Sequence, residues 1–134
     1  MSLLLLDTTF LIDAERGDGQ LDDVIDDDDD VAIAAITVAE LTVGVRLATA
    51  RHRASRQAYV DEIIRTITIL PYDEVVAVRH ADLLVAIRRA GRPRGAHDLV
   101  IAATASATGR TVLSADRSTF TDLPGVVAID HRSS

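Results

Sequence analysis

Short apolar segments alternate with longer segments of helical periodicity along this chain, and this alternation restricts the possible folds more than any other feature of the sequence. Strands that alternate with helices form a parallel sheet with helices on both faces. The segments with the length and composition of buried strands are Leu3–Leu6, Val31–Ile36, Thr66–Leu70, Thr111–Leu113 and Val126–Ile129. We therefore predict a three-layer α/β/α fold with a parallel sheet of about five strands.

Helix start and stop signals lie between these segments. Asp73 is suited to cap a helix that runs to Ala90 and ends at Gly91, and Gly109 is suited to end a helix that begins at His97. The remaining predicted helices are Thr8–Arg16, Gly19–Asp27, Thr37–Ala50 and Arg51–Arg65.

The composition limits the size of the protein and its chemistry. The chain has 134 residues, of which 48% are apolar, and we predict that residues 1–134 form a single domain. The chain contains no cysteine, which excludes disulfides, thiol catalysis and cysteine-ligated zinc. The longest apolar run near the N-terminus, Leu3–Leu6, is too short for a signal peptide or a membrane span. We therefore expect a cytoplasmic protein with no membrane segment.

Four carboxylates from distant parts of the chain follow predicted strands or open a predicted helix. Asp7 follows the first strand, Glu40 lies just after the second, Asp98 is near the start of a helix, and Asp116 follows the fourth strand. The carboxyl ends of parallel strands meet at one edge of a sheet, where these side chains would repel each other unless a cation neutralised them. An all-oxygen cluster suits Mg²⁺ or Mn²⁺, which would activate water for phosphodiester hydrolysis. Whether one or two ions bind stays open.

Each of these carboxylates also has a structural interpretation. Thr37-x-x-Glu40 has the pattern of a capping box, Asp98 would be favourable at a helix N-terminus, and Asp116 has the position of a turn or cap residue. Asp7 has the weakest structural alternative, that of a strand-end or cap residue, because the four leucines before it direct it to the carboxyl end of the sheet. The acidic run at residues 26–30 is interpreted as a solvated loop, because carboxylates are unfavourable at the C-terminus of the preceding helix.

The order of the motifs resembles the PIN-domain family, and more narrowly the VapC-type toxins of VapBC toxin–antitoxin systems. The matching motifs are Asp-Thr-Thr at residues 7–9, Thr-x-x-Glu-Leu at 37–41, His-Asp-Leu-Val-Ile-Ala-Ala-Thr-Ala at 97–105 and Ser-x-Asp-x-x-x-Phe at 114–120. The resemblance covers essentially the whole chain. It implies a PIN-like nuclease domain: a Mg²⁺- or Mn²⁺-dependent endoribonuclease that acts as the toxin of a type II pair.

The resemblance also implies roles for individual residues. Asp7, Glu40, Asp98 and Asp116 would be the catalytic acidic quartet. Three of these residues, Asp7, Asp98 and Asp116, would bind the metal ion. Thr9 would be the hydroxyl near the metal. Ser114 stands where the family's last motif begins with threonine, which preserves a second hydroxyl.

One residue departs from the family pattern. The family often has an aspartate just before the phenylalanine of the last motif, and this chain has Thr119 before Phe120. A second metal site, if one exists, is expected to be weakened by the missing carboxylate.

Arginines lie on both sides of the acidic motifs. Arginine binds phosphate in a bidentate manner, so these residues are predicted to hold the RNA backbone, although a solubilising helix end would have the same composition. The residues concerned are Arg88, Arg89, Arg92, Arg94 and Arg117. His97 is interpreted as a cap or as a residue that supports the metal ligands. Because only four residues are Phe or Tyr and none is Trp, shape and backbone contacts should dominate RNA recognition.

The resemblance implies two protein partners. One is a VapB-type antitoxin that wraps the toxin and covers the acidic pocket, and the other is a second copy of the chain in a homodimer. Leu11, Ile12, Leu41 and Val45 are candidates for an apolar groove that accepts the antitoxin, or alternatively for core packing.

Three alternative functions compete with this interpretation. A phosphatase of the haloacid-dehalogenase type needs an aspartate where this chain has Thr9, and it also needs a lysine. A response-regulator receiver needs a lysine as well, and all 14 basic residues of this chain are arginine. The remaining alternative is a catalytically inactive PIN-like domain that binds RNA or serves in assembly.

Overall fold

The computed structural model describes residues 2–17 and 25–130, and a five-stranded parallel sheet lies at its centre. Its strands are β1 (Leu3–Leu6), β2 (Asp30–Ala34), β3 (Thr68–Leu70), β4 (Thr111–Ser114) and β5 (Ala128–Asp130). The strand order is β3-β2-β1-β4-β5, and every neighbouring pair is parallel. The chain therefore begins in the middle of the sheet, builds outward on one side, and then crosses to the other.

Helices connect the strands. They are α1 (Thr8–Arg16), α2 (Ala35–Arg46), α3 (Ala50–Thr66), α4 (Glu74–Ala90) and α5 (Ala96–Thr108), together with a short 3-10 helix at Arg117–Phe120. Among the helices of the described ranges, none has both the length and the apolarity that a membrane span requires.

The side chains of β1 alternate between two hydrophobic cores. Leu4 and Leu6 point to a core shared with α1, α2 and α3, whereas Leu5 points to a core shared with α4 and α5. Leu5 and Leu6 are both completely buried. The sheet is thus covered on both faces, which confirms the predicted three-layer α/β/α fold.

Several predicted helix ends are confirmed by their hydrogen bonds and backbone angles. The Asp73 carboxylate caps α4 by accepting a hydrogen bond from the Val76 amide at 3.0 Å. Gly91 and Gly109 follow α4 and α5 with φ of 64° and 65°, in the left-handed region that glycine adopts without a steric penalty.

The boundaries of other elements differ from the prediction. The second strand ends at Ala34, and Ile36, which was predicted as its last residue, lies in the first turn of α2. A short apolar run does not distinguish a buried strand from the buried start of a helix, which explains this error. Strand β3 begins at Thr68 rather than Thr66, and β5 is shifted to Ala128–Asp130.

Two further helices predicted from the sequence flank β2. The helix predicted for Gly19–Asp27 falls mainly on residues 18–24, which lie outside the described residues, and its last residues, 25–27, are not helical. The long helix predicted to run from Thr37 to Ala50 ends at Arg46, and Ala50 instead begins α3.

Arg110 joins three strands at the edge of the sheet opposite the carboxyl ends. One guanidinium nitrogen donates to the backbone oxygens of Leu4 at 3.1 Å and of Asp30 at 2.8 Å, and the other lies 2.9 Å from the Asp30 carboxylate. The Arg110 side chain is only 11% exposed. It therefore replaces water as the partner of carbonyl groups in β1 and β2.

We predict that Arg110→Met lowers the free energy of unfolding by about 1.5–3 kcal/mol, since two carbonyls lose hydrogen bonds from a charged donor. Urea unfolding followed by circular dichroism measures this change. The matched control is Arg65→Met, because Arg65 pairs with Glu62 while 71% exposed and should shift stability by no more than about 0.5 kcal/mol. Equal effects of the two changes would contradict the role given to Arg110.

Candidate active site

The four predicted acidic residues lie at the carboxyl ends of the three central strands. Asp7 directly follows β1, and its backbone amide donates to the Leu113 carbonyl of β4 at 3.0 Å. Asp116 lies just after β4, and Glu40 lies in the helix that follows β2. Asp98 is the third residue of α5. At this edge the connection after β1 leads to β2 on one side, and the connection after β4 leads to β5 on the other. Open parallel sheets form their sites at such a point.

The pKa of Asp98 shows that the four carboxylates share one electrostatic environment. Burial raises the pKa of the Asp98 carboxyl above its ordinary value, and the negative charges of Asp7, Glu40 and Asp116 raise it further, while the nearby His97 lowers it. The four carboxylates thus lie within electrostatic range of Asp98. Desolvation and repulsion both disfavour the ionised form of this carboxyl.

Asp7 is the most buried member of the quartet, with 3% of its surface exposed. Its Oδ2 accepts hydrogen bonds from the hydroxyls of Thr9 and Ser114, each at 2.7 Å. Its Oδ1 is buried and has no hydrogen-bond partner among the described residues. A buried carboxylate oxygen without a partner is costly, and a cation is the ligand that best offsets that cost. The chemistry of this atom therefore fits a metal site.

Ser114 connects two members of the quartet. Its hydroxyl oxygen donates to Asp7 and accepts a hydrogen bond from the Asp116 backbone amide at 3.0 Å. The same oxygen lies 3.4 Å from the Thr9 hydroxyl oxygen. Both hydroxyls proposed from the sequence thus contact Asp7, and Ser114 also fixes the backbone at Asp116.

Glu40 is oriented by a residue that the sequence analysis missed. The Thr8 hydroxyl donates to Glu40 Oε1 at 2.7 Å, and Thr8 is 5% exposed. The other oxygen, Oε2, lies 3.4 Å from His97 Nδ1. The signal for Thr8 was available in the Asp-Thr-Thr motif, where a second hydroxyl follows the strand-end carboxylate directly.

The capping-box interpretation of Glu40 is wrong. Helix α2 begins at Ala35, so Thr37 lies inside the first turn and is not the capping residue. The Thr37 hydroxyl oxygen instead lies 3.2 Å from the Thr8 hydroxyl oxygen. Glu40 therefore faces the other carboxylates rather than the start of its own helix.

The interpretation of Asp116 as a turn or cap residue is correct for one of its two carboxylate oxygens. Asp116 caps the 3-10 helix, and its Oδ1 accepts a hydrogen bond from the Ser118 amide at 3.2 Å. Asp116 is nevertheless exposed and contributes to the field at Asp98. A capping role and a place in the quartet are compatible.

A second acidic group lies in the loop before β2. Within the described residues, three carboxylate oxygens lie within 4.8 Å of one another at Asp26, Asp28 and Asp29, and the quartet contains no such triplet. Asp29 accepts hydrogen bonds from the amides of Ser2 and Asp26, both at 2.9 Å. The Asp29 carboxylate thus already has backbone hydrogen-bond partners, in agreement with the interpretation of residues 26–30 as a solvated loop.

The family model of the PIN domain matches residues 4–126. The chain belongs to the PIN-domain family. It is 35% identical over 127 residues to Ribonuclease VapC5 of Mycobacterium tuberculosis, an alignment that covers 94% of this chain and 91% of that protein. It is 29% identical over 96 residues to the tRNA(fMet)-specific endonuclease VapC of Salmonella typhimurium, covering 72% of this chain and 71% of that protein.

This PIN domain also resembles solved structures. The crystal structure of VapBC-5 from Mycobacterium tuberculosis, a member of the VapBC family of toxin–antitoxin systems, matches it with a TM-score of 0.80 at 28% identity, covering 97% of this chain and 99% of that one. The predicted resemblance to VapC-type PIN domains is thus confirmed. The phosphatase and receiver alternatives are excluded by the same family match.

The arginines near the site of this PIN domain fall into two groups. Arg88 and Arg89 in the last turn of α4 and Arg117 beside Asp116 are exposed. Arg92 lies 3.6 Å from the Asp122 carboxylate, and Arg94 donates to the Thr121 carbonyl at 3.0 Å. The second group therefore connects the segment before Asp98 to the segment after Asp116.

A groove of about 250 Å³ lies beside the acidic residues, between α1, α2 and α3. Its apolar side is lined by Ile12, Leu41, Val45 and Val60 together with Tyr59, and it reaches Glu40. Polar and charged side chains complete the lining: Glu15, Arg16, His52, Ser55 and Arg56. Leu11, which was a candidate for this groove, is completely buried in the core instead. The Tyr59 hydroxyl donates to the Leu11 carbonyl at 2.7 Å, and burial, with a smaller contribution from Glu15, raises the pKa of Tyr59 to about 12.

We predict that Asp98→Asn stabilises the metal-free PIN domain near neutral pH. Because the folded protein raises the pKa of Asp98, stability falls as pH rises through the interval between the ordinary and the raised pKa, and it stays lower above that interval. Asparagine removes the charge and with it this loss. The measurement is thermal unfolding in EDTA at acidic and neutral pH, where the gain should appear only at the higher pH.

The matched control for this measurement is Asp82→Asn, because Asp82 is an exposed residue of α4. It should produce no comparable pH-dependent gain. An Asp98→Asn variant that is less stable than the unchanged protein at neutral pH would show that the carboxylate is not repelled by its neighbours.

Proposed function

We propose that this PIN domain is a metal-dependent endoribonuclease that hydrolyses RNA phosphodiester bonds and acts as the toxin of a type II toxin–antitoxin pair. The names of its relatives, a ribonuclease and an endonuclease of the VapC type, support this activity. The structural observation that carries the proposal is the buried, unpartnered Oδ1 of Asp7, together with the raised pKa of Asp98, to which Asp7, Glu40 and Asp116 contribute.

Mg²⁺ or Mn²⁺ is the proposed cofactor, and Asp7, Asp98 and Asp116 would hold it. These residues offer only carboxylate oxygens, which is the donor set that both ions prefer. Because no three carboxylate oxygens of the quartet lie within 4.8 Å of one another, the ion would reach part of the quartet through its own waters, as Mg²⁺ commonly does. When bound, such an ion supplies an activated water and polarises the phosphodiester.

The residues around the quartet have positioning roles in this proposal. Thr9 and Ser114 fix Oδ2 of Asp7 and so hold the orientation of the carboxylate whose Oδ1 would contact the ion. Thr8 fixes Oε1 of Glu40. Oε2, which lies 3.4 Å from His97 Nδ1, would accept a proton from the attacking water. The Glu40 side chain is 25% exposed, so a water molecule can reach it.

RNA would be bound through its phosphates next to the quartet. Arg88, Arg89 and Arg117 are exposed and are the arginines best suited to direct phosphate contacts. Arg92 and Arg94 remain predicted RNA-binding residues. Their contacts with Asp122 and Thr121 also connect the segment before Asp98 to the segment after Asp116. Contacts of this kind follow the backbone and carry little sequence information.

The proposed protein partner is a VapB-type antitoxin. The solved relative from Mycobacterium tuberculosis is a VapBC toxin–antitoxin system, which supports such a partner for this chain. The groove between α1, α2 and α3 is lined by both apolar and charged side chains and reaches Glu40, so a segment bound along it would cover the acidic site. The homodimer implied by the family resemblance stays a prediction.

The principal test is a cleavage assay on RNA with and without Mn²⁺ or Mg²⁺. We predict cleavage that EDTA abolishes and that Asp7→Asn lowers by more than about 100-fold, because the buried oxygen that would contact the ion is replaced. Sequencing of the new 5′ ends identifies the RNA that is cut. Asp82→Asn, on the exposed face of α4, is the matched control and should leave cleavage unchanged.

This assay also separates the enzyme from the inactive PIN-like module that binds RNA without cutting it. Metal-independent cleavage, or cleavage that survives Asp7→Asn, would indicate a contaminating nuclease and contradict the proposal. RNA binding without cleavage under all metal conditions would favour the inactive module.

We further predict that Thr8→Val lowers kcat about 10- to 100-fold with little change in KM, because Glu40 loses its hydrogen bond while the RNA contacts remain. Steady-state cleavage kinetics measure both parameters. Thr8→Ser keeps the hydroxyl and should retain most of the activity. Equal activity of the valine and serine variants would exclude a role for the Thr8 hydroxyl.

A further inference from the structure

Gly95 stands immediately before α5, three residues ahead of Asp98, and its backbone does not need a glycine. Its φ of −60° and ψ of 138° lie in a region that any L-amino acid adopts without strain. The usual reason for glycine at a helix end, a left-handed backbone, is therefore absent at this position.

The space beside Gly95 is occupied by the carboxylate of Asp98. A Cβ at position 95 would lie 2.7 Å from Asp98 Oδ2, 3.5 Å from its Cγ and 3.9 Å from its Cβ. The first of these distances is well below van der Waals contact, and all three atoms belong to the same side chain. Gly44, in contrast, would place a Cβ in open space with nothing within 4 Å.

The backbone at position 95 has little freedom to retreat from this contact. The Gly95 carbonyl accepts the first hydrogen bond of α5 from Leu99 at 3.2 Å, and the preceding residue, Arg94, is bonded to the Thr121 carbonyl. The carboxylate of Asp98 lies at the end of a short side chain and can rotate. A side chain at position 95 would therefore displace the carboxylate and leave the fold intact.

We infer that Gly95 is a positioning residue: its missing side chain is what allows the Asp98 carboxylate to lie against the start of α5 and face Asp7, Glu40 and Asp116. This inference rests on the proposed function, in which Asp98 holds the metal. Gly95 would thus determine the geometry of the metal site without contributing a ligand atom.

The test compares Gly95→Ala with Gly44→Ala in the full chain. For Gly95→Ala we expect the Mn²⁺ dissociation constant, measured by titration calorimetry, to rise about 10- to 100-fold, and kcat to fall by a similar factor with KM for RNA unchanged. Raising the Mn²⁺ concentration should restore part of the activity. Its thermal midpoint should stay close to that of the unchanged protein, because the restriction of the unfolded chain by alanine offsets the lower preference for alanine at the N-cap of α5.

Gly44→Ala should also keep or raise the thermal midpoint, but it should leave Mn²⁺ affinity and cleavage unchanged. A Gly95→Ala variant that binds Mn²⁺ and cleaves RNA like the unchanged protein overturns the inference. Should Gly95→Ala fail to fold, the double variant Gly95→Ala, Asp98→Ala decides: recovery of folding supports a collision with the carboxylate, and continued unfolding overturns it.

Failure of the proposed function is recognised separately, since the unchanged protein would then not bind Mn²⁺. The inference is in that case judged by crystal structures of the unchanged protein and the Gly95→Ala variant. A displaced Asp98 carboxylate supports it, and an unmoved carboxylate overturns it.

Discussion

The burial of the Asp7 carboxylate beside three other carboxylates is the constraint on which the rest of the site depends. Carboxylates held close together repel one another and lose hydration, and the raised pKa of Asp98 reflects both effects. The frame that holds them must therefore be stiff. It consists of the central strands β1 and β4, which are joined at their ends by the Asp7 amide, with the completely buried Leu5 and Leu6 anchoring β1 in both cores.

Neutral hydroxyl groups orient the Asp7 and Glu40 carboxylates. Thr9 and Ser114 bind one oxygen of Asp7, and Thr8 binds one oxygen of Glu40. A hydroxyl fixes the direction of a carboxylate without cancelling its charge, whereas an arginine in the same place would compete with a metal ion. The arginines near the site accordingly do not contact these carboxylates, and are either exposed or bonded to the surrounding loops. The site keeps its negative potential because hydroxyl groups, and not arginines, bind these carboxylate oxygens.

The layered fold and the meeting of the quartet could be predicted because they depend on local signals. Periodicity gave the order of strands and helices, and Asp73 and Gly109 mark helix ends through their own side-chain and backbone preferences. Residues whose roles depend on distant neighbours could not be found in this way. Gly95 has an ordinary backbone and reveals its importance only beside Asp98, and Arg94, which was predicted to bind phosphate, has the Thr121 carbonyl as its partner.

Helix α2 connects the proposed catalysis with the proposed inhibition. Glu40 faces the acidic site, while Leu41 and Val45 of the same helix line the groove and pack into the core. The helix begins directly after β2 with no intervening loop, so its position is fixed by the sheet. A partner segment in the groove would consequently contact the helix that carries Glu40. Blocking the site would then require no rearrangement of the sheet, because the groove and the carboxylates already share one rigid element.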